Sequence, residues 1–408
     1  MDEDIFKGLL SSSKIFKNKE VLRPSYVPNF LPHREKQIKE LASILVPALR
    51  GETPSNVFIY GKTGTGKTAV ATFTGKKLRE KGEEMNIPIH FIYINCEIVD
   101  TQYRILQNIT NHFIKGWNER IPFTGWPTDE VYSRLIKSID KARGVTIIVL
   151  DEVDKVKGDE VLYNLSRINN DLKEGKASVI GISNDLKFTE FLDPRVKSSL
   201  GEENLVFPPY TADELQDILN ERVKIAFKEN TVEESVIALC AAKAAQEHGD
   251  ARRALDLLRV SAEIAERLGD DVVKEKHVRL AEDKIELDRI TEIIRTLPIQ
   301  TKIVLMAGVI GIEAYEELNT GDLYNIYRDI CREGGYNVLT QRRIADIISE
   351  LDMMGILNAR VISKGRYGRT RQIEISMPSK IKEILERDSS IPRMKNYAPK
   401  QSKLDYIG

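Results

Sequence analysis

Five short apolar runs, at 57–60, 89–95, 145–150, 178–183 and 205–207, alternate with stretches of helical period between residues 56 and 207. Runs this short and this apolar suit strands buried on both faces. Separated by helices, they predict a parallel sheet covered on its faces. Upstream, two prolines in 25–32 precede an amphipathic helix at 33–49, and a further helix is expected near 103–113. From Thr211 to about Ile294 the pattern is almost all helical. Pro298 marks a boundary, followed by three short helices over 298–356 and two β-type runs in 357–376. Residues 1–24 are polar and Ser/Lys-rich and read as an extended or mobile arm. The tail from about Asp388 is polar with two prolines and reads as disordered.

The first apolar run leads into Gly61-Lys62-Thr63-Gly64-Thr65-Gly66-Lys67-Thr68-Ala69. A strand feeding a glycine-rich loop and then a helix is the context that gives this pattern meaning, a P-loop for a nucleoside triphosphate. Glycines let the backbone turn several N–H groups toward phosphate, and the helix adds the positive end of its dipole. Lys67 can reach the β- and γ-phosphates, and the Thr68 hydroxyl can hold Mg²⁺. ATP, ADP and Mg²⁺ are the expected ligands.

The third run ends in Asp151-Glu152, about 85 residues after the P-loop. Two acids at the end of a buried strand are what such a site needs opposite the phosphates. Asp151 would organise Mg²⁺ and its waters, and Glu152 would polarise the attacking water. Asn184, at the end of the fourth run, falls at the same carboxyl edge, where it can orient that water; a strand-terminating Asn in a turn is the other reading.

In the C-terminal part, Thr340 is a good N-cap for an amphipathic helix whose buried stripe is Ile344, Ile347, Ile348 and Leu351. Gln341, Arg342 and Arg343 then lie on its first turn, where a recognition helix meets base edges, although a solvated polar face fits as well. The following hairpin, 358–373, holds Arg360, Lys364, Arg366, Arg369 and Arg371 with no acid, and glycines flank Tyr367 at its tip. Unopposed cations after a helix–turn–helix predict a winged helix whose helix enters the major groove and whose wing meets phosphates or the minor groove.

P-loop, Asp151-Glu152 and Asn184 in this order resemble an AAA+ ATPase, with Asn184 as its sensor 1. Gly249-Asp250-Ala251-Arg252-Arg253-Ala254-Leu255 is similar to the sensor 2 motif of a helical lid, which implies that Arg252 reaches the γ-phosphate. Without the motif, the two arginines read as a solvated pair. The segment 27–35, which includes Arg34, resembles the one that covers adenine, and Tyr210 and Arg222 match positions associated with nucleotide. Hinge packing and a surface salt bridge are their alternatives.

With the winged helix added, residues 10–385 resemble the archaeal origin-recognition initiator family, relatives of the eukaryotic origin recognition complex and its helicase-loading cofactor. Residues 181–185, 193–200 and 365–369 carry the resemblance most specifically. Family members place an extra DNA-contacting helix at 101–130, so Tyr103, Arg104 and Gln107 are candidates for DNA or for the core. Related subunits carry an arginine finger where this chain has Ser199-Leu200, with Arg195 as a substitute, which implies a slow ATPase using nucleotide as a switch.

The implied fold is an α/β P-loop AAA+ ATPase with a helical lid and a C-terminal winged-helix domain. Its parts are an arm (1–24), the nucleotide-binding domain (25–210), the lid (211–294), the DNA-binding domain (295–387) and a tail (388–408). The implied function is ATP-dependent initiation of DNA replication: binding double-stranded origin DNA and helping to recruit the replicative helicase, with paralogous initiator subunits as further partners. An ATP-gated winged-helix transcription regulator and a clamp-loader-like AAA+ subunit are the alternatives.

Composition narrows this little. The chain has 408 residues, is 41% hydrophobic and 30% charged, and suits two or three domains. Three scattered cysteines form no disulfide framework or zinc spacing, and no apolar run approaches the ~20 residues of a membrane span. Acidic Asp2, Glu3 and Asp4 give no signal peptide, so a cytoplasmic protein without a membrane partner is expected. Net charge is −1, but residues 298–408 carry 17 Lys+Arg against 14 Asp+Glu, or +3, leaving −4 for the rest. That asymmetry agrees with a polyanion meeting the C-terminal part.

Overall fold

The computed structural model describes residues 13–24, 26–200, 203–363, 369–388 and 390–391. It divides into two compact units between Ala281 and Glu282, within the helix Glu275–Thr296.

In the first unit, β1 (Val57–Tyr60), β2 (Ile89–Asn95), β3 (Val145–Asp151), β4 (Lys176–Ser183) and β5 (Glu203–Val206) form one sheet in the order β2-β3-β4-β1-β5. All four pairings are parallel. The period of two shares the strands between two cores. Val57, Ile59, Val145, Ile147 and Val149 face one cluster, with Val70 and Leu78 of the helix Lys67–Glu84. Phe58, Tyr60, Ile148 and Leu150 face the other, with Ile105 and Ile109 of the helix Gln102–His112 and Leu135 and Ile139 of Thr128–Ala142. Burial on both faces is why these runs show no polar alternation. The carboxyl ends of β1, β3 and β4 therefore meet along one edge.

The lid packs the helices Ala212–Ala226, Glu234–Gln246 and Ala251–Leu268. Thr211 and Glu214 close a reciprocal capping box on the first. Residues 13–24 are not a detached arm. Ile15, Val21 and Leu22 are buried, Phe16 stacks on Phe227 at 5.1 Å, and Lys19 pairs with Glu263 at 2.9 Å. Four large apolar side chains in twelve residues suffice to dock a segment whose background is Ser/Lys-rich.

In the second unit, three helices, Ile299–Ala314, Thr320–Gly334 and Gln341–Met353, precede the hairpin of β7 (Leu357–Ser363) and β8 (Arg369–Ile375). With β6 (Leu318–Asn319) it forms an antiparallel sheet in the order β6-β8-β7. Ile344, Ile347, Ile348 and Leu351 lie in one core with Ile303, Val304, Leu323 and Ile373. Lys302, though buried, is matched by Asp388 at 2.7 Å, and this ammonium and Ser390 hold the Asp388 carboxyl far below its usual range. The chain is thus still packed at Asp388, and Ile391 is also buried. Among the described residues no helix is long and apolar enough to cross a membrane.

Candidate nucleotide site and nucleic-acid interface

The loop after β1 needs two left-handed residues, Gly64 (φ +69°) and Gly66 (φ +90°). Only glycine adopts these angles without strain. At Gly64 a Cβ would lie 1.7 Å from Asp250 Oδ1, so the lid sits directly on this glycine. Asp250 caps the helix Ala251–Leu268 by accepting from the Arg252 and Arg253 amides, and the Ala251 amide donates to Gly64 O at 3.1 Å.

Lys67 is nearly enclosed, and its Nζ donates to Gly61 O and Lys62 O, both at 2.7 Å, and to Asn184 Oδ1 at 2.8 Å. Burial pushes its ammonium down to about 8, against the pull of Asp151. Asp151, the last residue of β3, accepts on Oδ2 from Thr68 Oγ1 and from the Tyr93 hydroxyl, each at 2.7 Å. Glu152 is held in the left-handed region (φ +54°), costly for a side-chain-bearing residue and a common mark of functional sites. Burial, reinforced by Glu97 and Asp151, raises its carboxyl above the usual value. Asp154 accepts from Ser183 Oγ at 2.9 Å and from the Asn184 backbone amide at 3.4 Å, which sets the position of Asn184.

These groups line one end of a cleft of about 280 Å³, formed by residues 64–69, Asp151, Glu152, Asn184 and Arg252. The other end is largely apolar, with Tyr26, Val27, Phe30, Ile218, Ile225 and Leu255. A charged head and an apolar body fit the phosphates and base of a nucleotide. Arg222 lines this end, lies over the Tyr26 ring at 4.9 Å, and has a buried Nη1 without a protein partner. Arg253 bonds Glu247 at 2.8 and 3.2 Å, so Arg252 is the arginine that lines the cleft. Tyr210 lines it too, its phenol pushed up to about 12 by burial.

Three residues expected at the nucleotide stand back from the cleft lining. Gly61 serves Lys67 through its carbonyl, and Thr63 is exposed. Arg34 is 2% exposed, stacks on the Tyr210 ring at 3.6 Å, and donates to Thr65 O (2.9 Å), His33 O (2.9 Å) and Pro208 O (2.7 Å). It ties the P-loop to the hinge, because each of its three guanidinium nitrogens donates to a backbone carbonyl. Sequence reasoning passed over Tyr93 and Asp154. Tyr93 breaks an apolar edge strand, and Asp154 follows the acid pair by two residues; neither position announces its partner.

In the second unit, Thr340 caps the helix Gln341–Met353, leaving Gln341, Arg342 and Arg343 exposed on its first turn. Arg343 pairs with Glu350 at 3.3 Å. Gln341, Arg342 and Arg371 line an open groove of about 570 Å³ together with Asn319, Thr320 and Thr370. Arg371 is not the free wing cation expected. Its Nη1 donates to Ser349 Oγ at 2.6 Å and to Ala345 O at 3.2 Å, because the β8 alternation turns it toward the helix. Lys364, Arg366 and Tyr367 lie outside the described residues, as does the Arg369 side chain. In the first unit, Tyr103 donates to Pro122 O at 2.9 Å and Gln107 to Ile121 O at 3.0 Å, so both support the 113–122 loop. Arg104 is half-buried, with Nε enclosed and without a partner.

Three family models match this chain: an AAA ATPase domain over residues 31–173, a Cdc6 AAA+ ATPase-type lid domain over 216–283, and a CDC6 C-terminal winged helix domain over 292–384. The chain is 58% identical over 382 residues to the ORC1-type DNA replication protein 1 of Methanosarcina mazei, covering 92% of this chain and 91% of that one. It is 57% identical over 394 residues to the ORC1-type DNA replication protein of Pyrococcus abyssi, covering 95% and 94%. Among solved structures, the Aeropyrum pernix ORC1 protein in complex with DNA is 45% identical, with a TM-score of 0.78 over 93% of this chain and 98% of that one. AAA+ ATPase, Cdc6-type lid and winged helix thus occur in one polypeptide, and the chain belongs to the ORC1-type DNA replication protein family.

Proposed function

We propose that this chain is an ATP-dependent replication initiator that binds double-stranded origin DNA through its winged helix and helps recruit the replicative helicase, beside paralogous initiator subunits. The carrying observation is the 45% identity, over 93% of the chain, to an ORC1 protein solved on DNA. We assign the domains as 25–210, 211–294 and 295–387. The chain is an AAA+ ATPase.

The residues take the following roles in this reading. The P-loop amides and Lys67 bind the β- and γ-phosphates, and Arg252 reaches the γ-phosphate from the lid. Glu152, with its raised carboxyl, accepts a proton from the attacking water, which Asn184 orients. Thr68 and Asp151 place two hard oxygens within 2.7 Å of each other, which fits Mg²⁺ arriving on nucleotide phosphates. Bound there, Mg²⁺ would neutralise charge on the transferring phosphoryl group. The family's finger position holds Ser199 and the buried Leu200, and Arg195 is paired with Asp193 at 2.9 and 3.1 Å, which supports slow turnover. ATP then acts as a switch: the lid helix touches both γ-phosphate, through Arg252, and the P-loop, through Ala251, and ADP keeps only the second contact. Gln341, Arg342 and Arg343 read the major groove, and Lys364, Arg366, Tyr367 and Arg369 meet backbone or minor groove.

The test is a genome-wide footprint of the purified chain on its own chromosome with ATP, repeated with Lys67→Ala. Strong sites at one or a few replication start regions support the reading. Sites spread over many promoters would overturn it in favour of a transcription regulator.

A further inference from the structure

The two strands of the wing obey the period of two, so one face of β8 carries Ile373 and Ile375, both buried, and continues through Arg371. The register sets Leu357 opposite Ile375, Ala359 opposite Ile373 and Val361 opposite Arg371. Arg371 thus stands where the apolar face ends, still turned toward the helix Gln341–Met353. Ala345 and Ser349 are one turn apart on that helix. Ser349 Oγ donates its proton to Ala345 O at 2.9 Å, and accepts from Arg371 Nη1 at 2.6 Å. Arg371 also donates to Ala345 O at 3.2 Å, so three groups close one small network between wing strand and helix.

We propose that Arg371 is a positioning residue that fixes the angle of the wing strands against the recognition helix, rather than a contact to DNA phosphate. This rests on the DNA-binding reading above. A site-specific complex needs the first turn of the helix and the wing engaged at once, whereas a non-specific one needs only phosphates. A charged hydrogen bond across the joint removes hinge freedom before binding, so less ordering is left for the complex to impose. The brace therefore acts on discrimination between sequences. A guanidinium on a phosphate would instead act alike on every sequence and would appear in the salt dependence.

The experiment uses the full chain with ATP and two duplexes: one recovered from a random library by the wild-type protein, and a shuffled duplex of the same composition. Affinity is measured over a salt series for Ser349→Ala, which keeps every charge, and for Arg371→Gln and Arg371→Lys, with thermal unfolding of each. Ser349→Ala and Arg371→Gln are both expected to lower the ratio of selected to shuffled affinity by about fivefold to tenfold. Both keep the wild-type salt slope, and Arg371→Lys restores part of the ratio. A salt slope reduced by about one in Arg371→Gln, with Ser349→Ala unchanged, would make Arg371 a phosphate contact and overturn the proposal. Lowered unfolding temperatures with an unchanged ratio would overturn it as well, leaving only a packing role. A wild-type chain that yields no preferred duplex would overturn the DNA-binding reading itself, a failure visible before any variant is compared.

Discussion

Lys67 Nζ donates to Asn184 Oδ1 at 2.8 Å, so the P-loop cation and the amide that ends β4 meet directly at the head of the sheet. Gly61 O and Lys62 O, each at 2.7 Å, take the other two protons, and a γ-phosphate must displace at least one of these three acceptors.

A pH dependence follows from the same contact. Burial lowers the Lys67 ammonium to about 8, and a bound phosphate favours its charged form. ATP affinity should therefore hold steady up to about pH 8 and fall above it, by about tenfold per pH unit at most, because binding then takes up a proton. The sign for folding is opposite. Between about 8 and the ordinary lysine value of 10.5 the unfolded chain binds more protons, so this group's contribution to stability rises with pH. Calorimetric ATP titrations from pH 7 to 10 check the first statement, with Lys67→Arg as the control whose guanidinium stays charged. Affinity unchanged across that range in the wild type would contradict it. Lys67→Ala should bind no nucleotide.

The two arginines of the lid helix separate cleanly. Arg252 lines the cleft, whereas Arg253 is bonded to Glu247. Arg252→Ala should lower the preference for ATP over ADP by roughly tenfold or more, the scale of a charged hydrogen bond. Arg253→Ala should leave that preference within about twofold and cost roughly 1 kcal/mol of stability, as a partly exposed pair does. Competition of the two nucleotides on each variant decides it. Equal effects would mean that the lid helix is rotated from the position described.

Tyr93 offers a test of how the acid is held. Its hydroxyl and that of Thr68 both donate to Asp151 Oδ2 at 2.7 Å. Removing a partner of a metal-ordering carboxylate typically weakens metal affinity 10–100-fold. In Tyr93→Phe the Mg²⁺ concentration for half-maximal hydrolysis should rise by about tenfold, with ATP binding in the absence of metal unchanged. A Mg²⁺ titration of the hydrolysis rate reads this directly, and an unmoved midpoint would reduce Tyr93 to edge-strand packing.

The sheet was legible because its strands are buried on both faces. Runs such as Val57 to Tyr60 carry no polar residue, and their alternation is visible only once two cores exist to receive it. The phosphate end was legible because glycines, Lys67, Thr68, Asp151 and Asn184 lie at strand ends, and strand ends converge by topology. Long side chains were not legible. Arg34 and Arg371 look alike in sequence to cations awaiting an anion, yet both donate to carbonyls or a hydroxyl of neighbouring segments. The Arg371 case had a signal, its spacing of two and four from Ile373 and Ile375, which charge outweighed. Residues 13–24 show the converse: average polarity concealed Ile15, Phe16, Val21 and Leu22, which decide where the segment lies.

On the first turn of the helix Gln341–Met353, Arg342 and Arg343 should differ in the same way as the lid pair. Arg342 lines the open groove, whereas Arg343 is drawn back along the helix to Glu350 at 3.3 Å. Arg342→Ala should weaken binding to a preferred duplex by about 1–3 kcal/mol if it meets a base edge, with less loss on a shuffled one. Arg343→Ala should do less, since part of its charge is already answered. Glu350→Ala gives the opposite sign: it removes a carboxylate from a surface proposed to face phosphates and releases Arg343, so DNA binding should tighten by a few-fold at low salt. Because both charges are exposed, that gain should vanish toward ~0.5 M salt as screening shortens its range. Affinity measured on one duplex across a salt series checks all three variants together. Weaker binding in Glu350→Ala at low salt would place this face of the helix away from the DNA.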